Sequence, residues 1–373
     1  MTTSAVEHEG AVVARLSTLD RLLPLWIGVA MAAGLGLGAL VPGLDRHLNR
    51  LQVGTVSLPI ALGLLVMMYP VLARVRYEEL GALRGERRLF AASLVLNWLI
   101  GPALMFALAW LLLPHQPAYR TGLIIVGLAR CIAMVVIWND LACGDREATA
   151  VLVVLNSVFQ VVAYALLGYF YLTLLPGWLG LETQGFHVSV WEIARTVLIF
   201  LGIPLAAGFI TRRIGLRARG RDWYEQTLMP RIAPFALYGL LFTIVLLFAI
   251  QGKQITAAPL NVVRIAVPLL IYFAIMFTLA FLGGWRIGLS YPRTAALAFT
   301  AASNNFELGI AVAVGVFGAT SGQALAGVVG PLIEVPVLVG LVYVALWAGR
   351  RLFGPEAVRR HLPVAVVVPE TGV

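Results

Sequence analysis

The sequence predicts an all-α integral membrane protein: ten transmembrane helices in two inverted five-helix repeats. Three observations predict it. First, 60% of the 373 residues are hydrophobic and 12% are charged, where soluble domains carry roughly a quarter. Apolar runs of the length a bilayer demands, about 20 residues, recur along the whole chain. Second, the gaps between those runs alternate in arginine content. Third, the second half of the chain repeats the apolar-and-proline pattern of the first.

The runs give spans at 22–41, 56–73, 89–113, 121–139, 148–175, 191–211, 232–250, 263–284, 294–317 and 323–349. Arg74, Arg76, Arg84, Arg87 and Arg88 follow span two. Arg212, Arg213, Arg217, Arg219 and Arg221, with Arg231, follow span six. Arg350, Arg351, Arg359 and Arg360 follow span ten, whereas the loop 176–190 has no Arg or Lys. The positive-inside rule then puts both termini of a multi-pass plasma-membrane protein in the cytoplasm. Residues 1–20 mix Glu7, Glu9, Arg15 and Asp20 and lead into no small-residue cleavage site, so they read as an uncleaved cytoplasmic tail. Residues 350–373 read as a second tail. The net charge of +9 sits between apolar runs. It marks topology and a lipid bilayer as partner, not nucleic acid.

PIALGLLVMMYPVL begins at Pro59 and PFALYGLLFTIVLL at Pro234, an offset of 234 − 59 = 175. Spans three and eight start 263 − 89 = 174 apart, and spans four and nine 294 − 121 = 173. The chain therefore divides into 21–176 and 177–349. Five spans are an odd number, so the second unit enters the membrane from the opposite side, as in secondary transporters.

Polar residues at membrane depth are costly and mark pathways or sites. They gather in spans four and nine. Span nine holds Ser303, Asn304, Asn305 and Glu307. Span four holds Arg130 and Cys131, and closes with Asn139. Asn304 followed by Glu307 and an apolar run reads as a capping box, which implies a helix that stops and restarts in mid-membrane. Gly127 allows a similar break before Arg130 and Cys131. Adding 176 to 131 makes Cys131 and Glu307 symmetry mates. Free backbone groups at such breaks are tolerated only beside a polar cavity.

Cys131 is either a small apolar side chain or a ligand for a soft centre, its thiolate favoured by Arg130 and a helix N-terminus. Arg130 acts on that thiol or pairs with a carboxylate. Glu307 is a structural ion or a proton carrier, since a helix N-terminus and burial pull its ionisation in opposite directions. Glu334, between Pro331 and Pro336 in span ten, is the second candidate for proton coupling. Asn156 and Gln160 share one face of span five and line the site or bind a neighbouring helix. Cys143 reads as a loop thiol outside the transport site. Two cysteines and five scattered histidines leave no disulfide framework and no spaced metal-ligand pair. With no phosphate-binding loop or hydrolase motif, neither an enzyme nor a cofactor is expected.

The segments GLARCIAMVVIWNDLACGD, FTAASNNFELGIAVAVGVFG, GPLIEVPVLVGLVYVAL and MMYPVLARVRYEELG resemble those of the arsenical-resistance-three family of arsenite permeases, in the bile acid/arsenite/riboflavin transporter superfamily. The resemblance covers about residues 20–350. It implies the same ten-helix fold, with helices four and nine broken and crossing, and extrusion of trivalent arsenic, as arsenite or antimonite, by exchange with protons. It also implies that Cys131 is the arsenic ligand and Glu307 the essential acid. Arg130, Asn305 and Glu307 would bind substrate beside it, with Ser303, Asn304, Asn156, Gln160 and Asn139 lining the site. A single thiol with oxygen ligands would hold arsenic loosely enough to release it. The rival reading is a sodium-coupled organic anion symporter on the same fold, with sodium at the Ser303–Asn305 oxygens. A membrane sensor would need an appended soluble domain, and none of useful size is present. A homo-oligomer is compatible with the sequence.

Overall fold

The computed structural model describes residues 22–41, 51–53, 56–77, 87–181, 189–257, 260–354 and 357. The expected tail 1–20, most of the tail beyond 350, Arg84 and residues 182–188 of the loop 176–190 lie outside the described residues. Ten successive helical segments form. They are α1 Leu23–Leu40, α2 Leu58–Ala73, α3 Arg87–Leu112, α4a Pro117–Leu128 with α4b Val135–Leu141, and α5 Arg146–Trp178. Then come α6 from Val190–Val197 through Ile203–Trp223, α7 Pro234–Ala257, α8 Leu260–Arg286, α9a Tyr291–Ala302 with α9b Phe306–Phe317, and α10 Gly322–Leu352. Among the described residues five stretches are long and apolar enough to cross a membrane, and α1, α2 and α9b are shorter apolar helices. A two-residue ladder, Gln52–Val53 with Val56–Ser57, precedes α2.

Sequence chemistry explains where the helices bend and end. Four five-residue π turns, at Leu96–Ile100, Phe170–Leu174, Leu198–Gly202 and Tyr224–Leu228, each end two residues before a proline: Pro102, Pro176, Pro204 and Pro230. Proline has no N–H to give the preceding turn, and the wider turn absorbs the defect. α4a starts at Pro117, four residues before the expected start at 121. The guanidinium of Arg120 is buried, lying 3.5 Å from the Trp110 ring centre and donating to the Pro114 carbonyl at 3.1 Å. α6 outruns its apolar stretch because its arginine-rich end stays helical until Gly220, whose φ of 81° breaks the run. α10 likewise continues to Leu352, past the expected boundary at 349.

The segments alternate in direction. Arg88 at the start of α3 donates to Ile287 beyond the end of α8 at 3.4 Å. Tyr291 at the start of α9a donates to Ala142 beyond α4b at 2.7 Å. Tyr224 donates to Ala73 at the end of α2 at 2.9 Å. These contacts define one arginine-rich face. On the opposite face Asn261, opening α8, donates to Tyr119, opening α4a, at 2.9 Å. α1 and α2 pack on α7, and α2 on α6; α3, α8 and α10 gather around α4a and α9a. The two interrupted helices thus lie inside the bundle.

Candidate functional site

α4a ends at Leu128, and Ala129 turns extended with φ −83° and ψ 117°. α9a ends at Ala302, and Ser303 turns extended with φ −86° and ψ 151°. The extended residues meet as one antiparallel rung, Arg130 beside Asn304, and the Asn305 amide donates to the Ala129 carbonyl at 3.0 Å. Two amides at the rung would otherwise be orphaned in an apolar interior. Each receives a side-chain oxygen from the next helix. Arg130 N donates to Gln160 Oε1 at 2.9 Å, and Asn304 N donates to Glu334 Oε1 at 3.0 Å. Both pairs are 30 residues apart. The pairs are separated by 304 − 130 = 174 and 334 − 160 = 174, the same spacing that relates α4a to α9a, 291 − 117 and 302 − 128.

That register corrects three expectations. At an offset of 174 the counterpart of Cys131 is Asn305, and Glu307 corresponds to Ala133. The offset of 176 is one to three residues longer than the 173–175 given by the repeat itself, and two residues move the match from Asn305 to Glu307. Gly127 is not the break: it lies inside α4a, where a Cβ would sit 2.4 Å from Met105 Cγ, so its role is close approach to α3. Arg130 and Cys131 consequently follow a helix C-terminus, four or more residues before the restart at Val135. In span nine the N-cap is Asn305, not Asn304. Its side chain accepts from Leu308 N at 3.0 Å, and Glu307 falls in the first turn outside any capping box.

Arg130 and Cys131 are neighbours in sequence but not in chemistry. Successive residues of extended backbone face opposite sides. The guanidinium of Arg130, 0% exposed, donates from Nη1 to the Tyr272 hydroxyl at 2.8 Å and from Nη2 to the Gly127 carbonyl. Among the described residues no ion pair includes Arg130. The thiol of Cys131, also buried, lies beside Ser303, and the charged groups within reach of it are Glu334 and Glu307. The two carboxyls also sense each other. Glu334 and Glu307 are therefore the charged neighbours of the thiol, and the arginine is held by Tyr272 and Gly127. Glu307 keeps accessible surface in a stretch whose neighbours are buried, while Glu334 is 4% exposed.

The other expected residues divide. Asn304 Nδ2 donates to the Val126 carbonyl at 2.8 Å, and Ser303 Oγ to Phe299 at 2.7 Å. Asn156 is buried one turn before Gln160; its carbonyl accepts from Gln160 Nε2 at 3.2 Å and its side-chain amide has no protein partner. Asn304 Oδ1, Asn305 Nδ2 and Arg130 Nε likewise have none. Asn139 lies away from the rung, beneath the turn after α4b, where Gly144 N donates to its carbonyl at 2.8 Å. Cys143 is buried in that turn with φ 56°, not an open loop thiol. Sequence reasoning missed Tyr272 and also Tyr164, whose hydroxyl donates to the Ile125 carbonyl at 2.6 Å. A tyrosine in mid-span was the available signal, since a buried phenol needs a partner. An apolar cavity of about 680 Å³ between α5 and α6, lined by residues such as Val158, Gly202 and Phe209, shares no residue with the rung.

Two interrupted antiparallel helices, meeting at polar breaks inside an apolar bundle, define a membrane carrier. The profile of the Sodium Bile acid symporter family matches residues 61–258. The chain is 60% identical over 340 residues to the arsenical-resistance protein Acr3 of Corynebacterium glutamicum, covering 91% of this chain and 92% of that one. It is 30% identical to the arsenical-resistance protein Acr3 of Alkaliphilus metalliredigens, covering 95% and 99%. An uncharacterized transporter of Synechocystis is 36% identical, covering 94% and 96%. The chain belongs to the sodium bile acid symporter family and, within it, to the arsenical-resistance transporters.

Proposed function

We propose that this protein exports trivalent arsenic, as arsenite or antimonite, in exchange for protons. The arginine-rich face and both termini lie in the cytoplasm. All ten segments cross the plasma membrane, and 21–176 and 177–349 form inverted repeats; the shared 174-residue spacing of the two capped breaks supports that arrangement. The observation that carries the reading is the thiol of Cys131 held between helix breaks with Glu334 and Glu307 as its charged neighbours.

The chemistry is a ligand exchange. A Cys131 S–As bond forms as one As–OH bond breaks, and the thiol proton leaves with the hydroxide as water. Water reverses the step on the far side. One sulfur with weak oxygen ligands keeps the complex labile, where three thiolates would trap it. Asn305 Nδ2 and Asn304 Oδ1, unpaired in the protein, supply hydrogen bonds for the remaining arsenic hydroxyls. Arg130 anchors the break. Glu307, the more accessible carboxyl, exchanges the coupling proton, and Glu334 relays it. Asn156 and Gln160 complete the wall of the site; Asn139 secures the end of α4b.

Arsenite uptake into inside-out vesicles under an imposed pH gradient tests this. Uptake driven by interior acidity, lost in Cys131→Ser and kept in Cys143→Ser, is expected. Full uptake by Cys131→Ser sinks the thiol mechanism, and uptake indifferent to the pH gradient sinks the proton coupling.

A further inference from the structure

The mechanism leaves one buried charge unused. Arg130 has no exposed surface, no carboxylate partner among the described residues, and one guanidinium nitrogen without any partner. What holds it is oxygen from neutral groups: the Gly127 carbonyl in the last turn of α4a and the Tyr272 hydroxyl of α8. Carbonyls at the end of a half-helix carry partial negative charge, and in broken-helix carriers such ends coordinate the driving cation. Space for the group is built in. A Cβ on Gly101 of α3 would lie 2.7 Å from Arg130 Nη1 and 3.1 Å from the Tyr272 hydroxyl. The counterpart of Arg130 at the second break is Asn304, so only one of the two half-helix ends carries a fixed charge.

We infer that Arg130 is a tethered cation: its guanidinium permanently fills a carbonyl-and-hydroxyl site where a dissociable monovalent cation would otherwise bind, which frees this member of a sodium symporter family from sodium. The inference rests on the carrier reading, but on neither arsenic nor protons. Its consequence is that deleting the side chain while leaving its oxygen ligands creates a cation-dependent protein.

The test uses purified Arg130→Ala, with thermal unfolding followed in choline, potassium, sodium and guanidinium chlorides at low millimolar concentration. Saturable stabilisation by guanidinium or sodium over choline, absent from the wild type, is expected. In proteoliposomes the same ions should raise Arg130→Ala flux at least tenfold over its choline background. Arg130→Lys, which keeps a tethered charge, should respond to none of them. A folded Arg130→Ala that ignores every ion, or wild-type flux that itself requires sodium, overturns the inference. If Arg130→Ala does not fold, Gly101→Ala serves: crowding the guanidinium should make its flux guanidinium- or sodium-responsive, and no response overturns the inference. Because the unfolding arm contains no arsenite, its failure is separate from failure of the export reading.

Discussion

The break at Arg130 and the break at Asn304 are built on one plan and carry different chemistry. Each is an extended residue whose amide is capped by a side-chain oxygen 30 residues downstream. In the first half the cap is the amide of Gln160; in the second it is the carboxyl of Glu334. The pair teaches that the backbone requires only an acceptor. A glutamine meets that requirement, so the carboxyl at 334 is surplus to structure. The thiol has Ser303 and the two acids as its neighbours, while the fixed cation is held by Tyr272 and the Gly127 carbonyl.

The comparison can be broken first at its chemistry. Cys131→Ser removes the thiol at the rung and should lower arsenite flux by tenfold or more, since each ~1.4 kcal/mol of lost binding is a factor of ten; flux assays with protein levels matched check it. Glu334→Gln copies the first half onto the second. It should keep the wild-type unfolding temperature but flatten the pH dependence of flux, whereas Glu334→Ala orphans the Asn304 amide and should cost about 1–3 kcal/mol of stability. An unfolding temperature in Glu334→Gln as low as in Glu334→Ala would show that the charge itself is structural. The reciprocal change, Gln160→Glu, keeps an acceptor for Arg130 N, so folding should survive with flux altered by less than in Glu334→Gln. The smallest effect belongs to the other cysteine. Cys143→Gly exchanges a left-handed side chain for the residue that tolerates that backbone, and should leave stability within about 1 kcal/mol and flux unchanged.

Much of the fold was legible because periodic apolar runs and arginine-rich gaps are large signals, and all ten expected spans correspond to helical segments. The existence of two breaks was legible too, from polar residues in apolar runs. Their detail was not. A helix start and a helix end both look like a polar interruption, so Asn304 and Asn305 exchanged roles and Arg130 was set at the wrong end of a half-helix. Adjacency also misled. Arg130 and Cys131 are adjacent in sequence but have different partners, Tyr272 and Gly127 for the guanidinium and Ser303 for the thiol. Only the capping bonds fix the 174-residue register, and they depend on loop lengths that periodicity does not encode.

The turn after α4b has one more consequence. Tyr291 donates to Ala142, and Asp145 N donates to the Pro292 carbonyl at 2.9 Å, so the two interrupted helices are pinned at the arginine-rich face as well as at their breaks. Two attachment points along one length act as a truss that resists scissoring of the helices. For the export proposed above, access to the thiol would alternate by sliding the α1, α2 and α7 group past that crosspiece, with the substrate standing still relative to its ligands while the wall changes sides.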